Sequence, residues 1–358
     1  MTDQRFEDRG GDVRAGEELP VTQLADYLRE QFPQLEGDLK VTQFAGGASN
    51  WTYRLQFANA DWILRRPPAG TKAASAHDMG REYRIQKALQ PVYPYVPKML
   101  HYTDDESIIG AEFYLMERVA GIIPRKNLPR ELELSEDQTR QLCKNALDAL
   151  IELHSIDIYE HGLDELAKGE GYTERQVLGW NKRYRQAKTW NVPKSTKIMQ
   201  WLEQNRPAQE RLCMTHNDFR FDNLVLDSSE PTRIIGVLDW ELATLGNPLM
   251  DLGNSLAYWI QADDDRIARS TRRQPTHLQG MLTRREVIEY YCNRMDVDVA
   301  DFTFYEVFGL FRLSVIAQQI YYRYHHKQTR NPAFKHFWFL VHYLHWRCRR
   351  LIKQQRKA

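Results

Sequence analysis

Beyond Gly121 the sequence reads mainly as helix, with one interruption. Leu224-Val225-Leu226, the turn Ser228-Ser229-Glu230-Pro231 and the run Ile234–Leu238 spell strand, turn, strand. Short apolar runs bounded by turn residues read in this way, so a hairpin lies among helices. Ahead of Gly121 the pattern is the opposite. Trp51-Thr52-Tyr53-Arg54-Leu55-Gln56-Phe57 alternates apolar with polar residues, as a half-buried strand does. Val41–Phe44 precedes it, Trp62–Arg65 follows it, and Phe113–Glu117 adds a further strand. A short helix is expected over Leu24–Gln31 and another over His77–Leu89, ending at Pro91. The expected organisation is a flexible arm over 1–20, a strand-rich part over 21–120 and a helical part over 121–358.

Composition narrows the class. Lys plus Arg is 49 and Asp plus Glu is 48, so the chain lacks the basic excess of a nucleic-acid binder. Apolar residues at 42% are enough to bury a core over most of its length. The most apolar stretch, Phe337–Trp346, is short of the ~20 residues of a membrane span, and His342 and His345 break it. The polar N-terminus lacks the apolar run of a secretion signal. Cys143, Cys213, Cys292 and Cys348 lie far apart, as reduced thiols do. No membrane and no nucleic-acid partner is expected, and the location expected is cytoplasmic.

The chemistry is concentrated in His216-Asn217-Asp218-Phe219-Arg220-Phe221-Asp222-Asn223, with Asp239 sixteen residues further on. Phosphoryl transfer needs positioning and charge neutralisation more than covalent chemistry. A carboxylate must orient the attacking hydroxyl, and oxygen ligands must hold Mg²⁺ near the phosphates. Asp218 suits the first task, and Asn223 with Asp239 suits the second. The hairpin between these two puts both at one end of adjacent strands. Arg220 lies within reach of a γ-phosphate. On the helix His77–Leu89, steps of ~100° put Glu82 inside the apolar arc of Met79, Tyr83, Ile85 and Leu89. A carboxylate there needs a cationic partner, and Arg81 and Arg84 are the nearest in sequence.

The string resembles the catalytic loop of the aminoglycoside phosphotransferase family, kinase-like enzymes acting on small molecules. The family pattern is His-Gly-Asp, four residues, Asn, then a metal-binding Asp; here Asn217 stands for the Gly, and Asn247 for a later acid. The resemblance implies an α+β, bilobal, protein-kinase-like fold, with ATP and Mg as cofactors. Gly46-Gly47-Ala48-Ser49-Asn50 resembles the phosphate-covering loop, so Gly47 and Ser49 are expected at the phosphates, although the same string also suits a plain hairpin turn. Arg65 falls where the family pairs the phosphates and would partner Glu82; Arg66, on the opposite strand face, is the second choice. Ile63, on the face of Arg65, would lie over the adenine. Phe113–Gly121 resembles the inter-lobe strand and hinge, which puts backbone groups of Glu117 and Val119 at the adenine edge and Val225 beneath it. These are also ordinary core positions. Asp251 resembles the buried acid that braces the loop, with His216 in a structural role.

Leu64-Arg65-Arg66-Pro67-Pro68, His77–Tyr83 and Gly171–Gln176 are similar to the branch of kinase-like domains fused to some acyl-CoA dehydrogenases. That likeness implies a hydroxylated acyl compound or another small-molecule alcohol as acceptor at least as readily as an aminoglycoside. A polycationic aminoglycoside favours an acidic face, for which Asp263-Asp264-Asp265 is the candidate after Asp251, although such a run also suits a solvated loop. The competing class is a nucleotide-binding pseudokinase acting as scaffold or regulator. It would be expected to have lost Asp218, Asn223 or Asp239, and all three are present.

Overall fold

Alternation along the early strands builds a sheet covered on both faces. In the computed structural model of the chain, residues 10–44, 50–68, 78–166, 169–208, 211–298 and 301–356 are described. Helix α1 (Val21–Gln31) precedes β1 (Lys40–Gln43), β2 (Trp51–Gln56) and β3 (Asp61–Arg66), then α2 (Met79–Leu89), β4 (Met99–Thr103) and β5 (Phe113–Glu117). Helices α3 (Glu136–Ser155), α4 (Tyr172–Ala187) and α5 (Thr196–Gln204) follow. Next come the short strands β6 (Cys213–Thr215), β7 (Leu224–Leu226), β8 (Ile234–Val237) and β9 (Thr244–Gly246). The chain continues through α6 (Pro248–Ala257), α7 (Arg266–Ser270), α8 (Arg284–Met295), α9 (Thr303–His325) and α10 (Phe337–Gln355). It divides into two units, residues 1–124 with 223–243, and residues 125–222 with 244–358.

In the first unit five antiparallel strands lie in the order β1-β2-β3-β5-β4. Successive strand residues point to opposite faces. Trp62 and Leu64 therefore join Leu24, Leu28, Tyr53, Leu55 and Leu115 in one core, while Ile63 packs with Met79, Tyr114 and Met116 on the other side. Strand β4 was not anticipated: Met99-Leu100-His101-Tyr102-Thr103 does not alternate, and its pairing with β5 is irregular between Met99 and His101. Of the expected flexible arm, residues 10–20 are described, and they lie on the sheet. Gly11 pairs with Gln43, the Tyr53 hydroxyl donates to the Glu17 carbonyl at 2.6 Å, and Leu19 enters the core. The hairpin β7–β8, counted from sequence with the helical part, bonds through Leu226 to Ile122 and through the Val237 N–H to Tyr95. Hence it belongs to the first unit.

The second unit is helical apart from the pair β6–β9. Helices α6 and α9 touch backbone to backbone: a Cβ on Gly309 would strike the Gly253 carbonyl, and one on Gly253 the Tyr305 carbonyl. Only glycine permits that approach. No disulfide links the four cysteines. Among the described residues, no helix is long and apolar enough to cross a membrane.

His345 on α10 is wholly buried, its two ring nitrogens meeting the hydroxyls of Ser195 at 2.8 Å and Ser314 at 2.9 Å. Burial, reinforced by Arg349 and His342, pushes its pKa down to about 3. An unfolded histidine titrates near ~6.5, so the unfolded chain takes up the proton first. The stability held by a neutral His345 is present above that value and is lost as pH falls from there toward 3. His345→Gln is therefore expected to destabilise the protein most near neutrality. Its deficit in urea unfolding should shrink by up to ~1.4 kcal/mol per pH unit as the medium is acidified.

Candidate functional site

Arg65 is the hub of the first unit. It lies on β3 opposite Tyr114 and Thr52, with its side chain on the face of Ile63. Its Nη1 sits 3.2 Å from the Glu82 carboxylate on α2, and its Nη2 donates to Asp239 at 3.0 Å. Glu82 is 1% exposed and also accepts from the Tyr114 hydroxyl at 2.6 Å. Burial pushes the Glu82 carboxyl above its usual range, although Arg65 opposes the shift. Arg65 thus carries two acids, one buried and one partly open. Arg66 faces the other way, over the Trp51 ring at 5.3 Å, and donates to the Ile109 carbonyl at 2.9 Å.

Asp239 follows β8, held in the left-handed region at φ 67°. Ladder pairs Leu224–Val237 and Val225–Gly236 run down the hairpin, and the Leu238 N–H donates to the Asn223 carbonyl at 2.8 Å. The ladder therefore brings Asn223 and Asp239 to one end of the hairpin. The chain around Val119 lies against its other strand surface, since a Cβ on Gly236 would meet Val119 at 3.0 Å and Val225 at 3.2 Å. Glu117 spends its N–H on the Lys98 carbonyl at 2.9 Å. Gly47 and Ser49 lie outside the described residues. Sequence reading offered Arg81 only as a partner for Glu82 and missed the contacts it makes. Its guanidinium donates to the Glu241 carbonyl at 3.2 Å and to that of Ala243, tying α2 to the turn after Asp239. No periodicity reports a bond to a carbonyl so far along the chain.

In the second unit the segment after β6 is held by one buried acid. Asp251, at N4 of α6, accepts from the backbone N–H of His216 at 2.7 Å and of Asn217 at 2.9 Å. His154 Nε2 lies 3.1 Å from the same carboxylate, and its Nδ1 meets the Tyr291 hydroxyl at 2.5 Å. Burial raises the Asp251 pKa, but the bond from His154 and the charge and bonds around it outweigh this and hold it below the usual carboxylate range. His154 was also missed. The available signal was its place on the buried face of α3, three residues after Ile151 and four after Leu150.

Asn217 takes φ 64°, a conformation that suits glycine and, among other residues, asparagine. Its side chain accepts from Tyr172 at 3.3 Å and Asn254 at 3.2 Å and donates to Thr215 at 3.0 Å. The replacement of the family's Gly is thus built into a polar network. Asp218 follows, 17% exposed at its side chain, with Arg220 3.3 Å away. Arg220 also meets Asp222 at 3.2 Å and lies 4.7 Å over the Tyr258 ring. The acidic run is engaged elsewhere: Asp264 makes a fork with Arg284 at 2.6 and 2.7 Å, and Asp265 caps α7.

A sheet-rich N-terminal part followed by a helical part, with these acids after β6 and β8, defines a kinase-like α+β fold. The family model described as the phosphotransferase enzyme family matches residues 40–287. The chain belongs to that family, whose fold neighbours are small-molecule phosphotransferases. Acyl-CoA dehydrogenase family member 10 of Mus musculus is 37% identical over 314 residues, covering 87% of this chain; the chain spans 29% of that relative's length. A structure from Ralstonia eutropha, provisionally named an aminoglycoside phosphotransferase, is 27% identical with a TM-score of 0.78 and covers 94% of this chain and 99% of its own. A streptomycin–ATP complex of the phosphotransferase APH(2")-IIa shares the fold, with a TM-score of 0.54 at 16% identity over 86% of this chain and 90% of that one.

The polar network makes a stability prediction. Asn217→Ala keeps the left-handed backbone but loses the side-chain bonds, and is expected to lower the unfolding free energy by ~2 kcal/mol. Asn217→Gly relieves the backbone strain and should lose about half as much, both measured by urea unfolding.

Proposed function

We propose that this protein transfers the γ-phosphoryl group of Mg·ATP to a hydroxyl group of a small molecule. The observation that carries this reading is the Glu82–Arg65–Asp239 cluster, with Asn223 brought to Asp239's end of the hairpin. A buried arginine between two acids, one of them 35% exposed at its side chain, fits a cation that pairs with phosphate while the open acid turns to a metal. The amide oxygen of Asn223 and the carboxylate of Asp239 are hard oxygen donors. Two such donors with substrate phosphates are the usual holding of Mg²⁺, which keeps part of its water shell. When bound, the ion neutralises charge on the phosphates. The complex of APH(2")-IIa with ATP supports the nucleotide class by analogy of fold.

The residues divide the work. Arg65 pairs the phosphates and Glu82 holds Arg65 in place. Gly47 and Ser49 cover the phosphates through backbone N–H groups. Backbone groups of Glu117 and Val119 meet the base edge, and Val225 supports the ring. Asp218 orients the acceptor hydroxyl and takes its proton, while Arg220 neutralises charge on the transferred group. A positioned base is typically worth ~10²–10⁴ in rate, here largely through orientation because the transition state is loose.

Two measurements check this. Asp239→Ala should weaken Mg²⁺-dependent ATP binding about tenfold or more in calorimetry, since it removes a charged ligand; unchanged affinity would count against the metal role. Asp218→Asn should lower turnover ~10²–10⁴-fold in an ADP-release assay over hydroxylated metabolites, with ATP affinity and melting temperature kept. Loss of ATP binding or of folding in that variant would give Asp218 a structural role instead.

A further inference from the structure

An arginine beside the Asn217–Asp218 segment and a second one sharing an aromatic ring with it lack acidic partners among the described residues. Arg312 on α9 is 5% exposed, and its Nη2 donates to the Asn217 carbonyl at 2.9 Å. Its guanidinium lies 5.3 Å from the centre of the Trp180 ring, and that of Arg183 lies 4.6 Å from the same ring. Among the described residues, no carboxylate is within ion-pair distance of either arginine. The buried guanidinium of Arg312 would ordinarily meet an acid; Arg183 is exposed, and two like charges sharing one ring repel. Burial and the nearby charge of Arg312 both push the Arg183 pKa down.

The arrangement is held by its scaffold and not by its own charges. Helices α4 and α9 pack through Tyr184 and Phe311, ring centres 5.8 Å apart, and Gln318 donates to the Ala187 carbonyl at 2.6 Å. Tyr258 lies within electrostatic range of Asp218, Arg220 and Arg312 together, which sets Arg312 near the expected base. Arg312 spends one of its five N–H donors on Asn217. An oxyanion between the two guanidinium groups would receive forked hydrogen bonds and remove their repulsion.

We propose that Trp180, Arg183 and Arg312 form an acceptor subsite that binds an oxyanion, carboxylate or phosphate, carried by the molecule whose hydroxyl is phosphorylated. The subsite rests on the phosphotransferase reading and deepens it. It selects hydroxylated anions and disfavours polycations, consistent with an acidic run already engaged by Arg284 and by the cap of α7.

The test is calorimetric titration of the full chain with 3-hydroxybutyrate and glycerol 3-phosphate, beside 1,3-butanediol, glycerol and kanamycin. The first two separate a carboxylate from a phosphate. At least one of them is expected to bind, more weakly as salt is added. Arg183→Met should weaken that binding about tenfold, and Arg183→Lys, which keeps the charge but not the fork, should restore only part of it. Among the described residues Arg183 makes no hydrogen bond that would hold the fold, so its variants keep the test clear if Arg312→Met disturbs the loop. Three results overturn the subsite: binding of the alcohols or kanamycin as tight as that of the oxyanions, oxyanion binding indifferent to Arg183→Met, or no oxyanion binding at millimolar concentration. Failure of the phosphotransferase reading shows separately, as absence of Mg²⁺-dependent ATP binding by the unaltered protein.

Discussion

A carboxylate with no solvent exposure organises the second unit. Asp251 is fully buried, and such a charge persists only where donors surround it. Two of those donors are consecutive backbone N–H groups, of His216 and Asn217, so the acid dictates the path of the chain and not merely the pose of one side chain. The third is His154, itself anchored by Tyr291. Asn217 is bent into the left-handed region where it meets this acid, and Asp218 leaves the bend in a direction set by it. The glycines that let α6 and α9 touch serve the same end. They bring Asp251 on one helix and Arg312 on the other to the same stretch, Asp251 to its N–H groups and Arg312 to a carbonyl.

The first unit has a different centre, a buried cation. Arg65 is charge-balanced by Glu82 from α2 and by Asp239 from the hairpin, so strand, helix and turn are joined at one guanidinium. Arg81 adds a second tie between α2 and the turn after Asp239. The two acids differ in a way that matters chemically. Glu82 is sealed and shares the Tyr114 hydroxyl, whereas Asp239 retains access to solvent. One acid therefore suits holding the arginine, and the other suits a ligand.

Charge balance in the second unit follows another rule. Asp264 and Arg284 satisfy each other. Arg312 departs from it, buried without an acid in ion-pair distance among the described residues, and it bonds to the segment that carries Asp218. Polar groups left without their ordinary partner are most informative where the surrounding scaffold is rigid enough to keep them so.

Much was legible from sequence because it depends on near neighbours. Period two sorted Trp62 and Leu64 from Ile63 and Arg65, and a helical arc turned Glu82 inward, because side-chain direction follows from backbone geometry alone. The hairpin was readable for the same reason, and with it the convergence of Asn223 and Asp239. Strand β4 was not, because it is held by pairing with β5 and not by its own pattern. Residues 10–20 looked unconstrained because their partners, Gln43 and Tyr53, lie across the sheet. His154, Arg81, Arg183 and Arg312 act through contacts to residues far away in the chain, and local spacing does not encode such contacts. The sequence by itself determined the self-patterned strands, the hairpin, the family and the chemistry-bearing residue types. Tertiary structure alone decided which charges met and which were left unpaired, because pairing depends on distances that only packing sets.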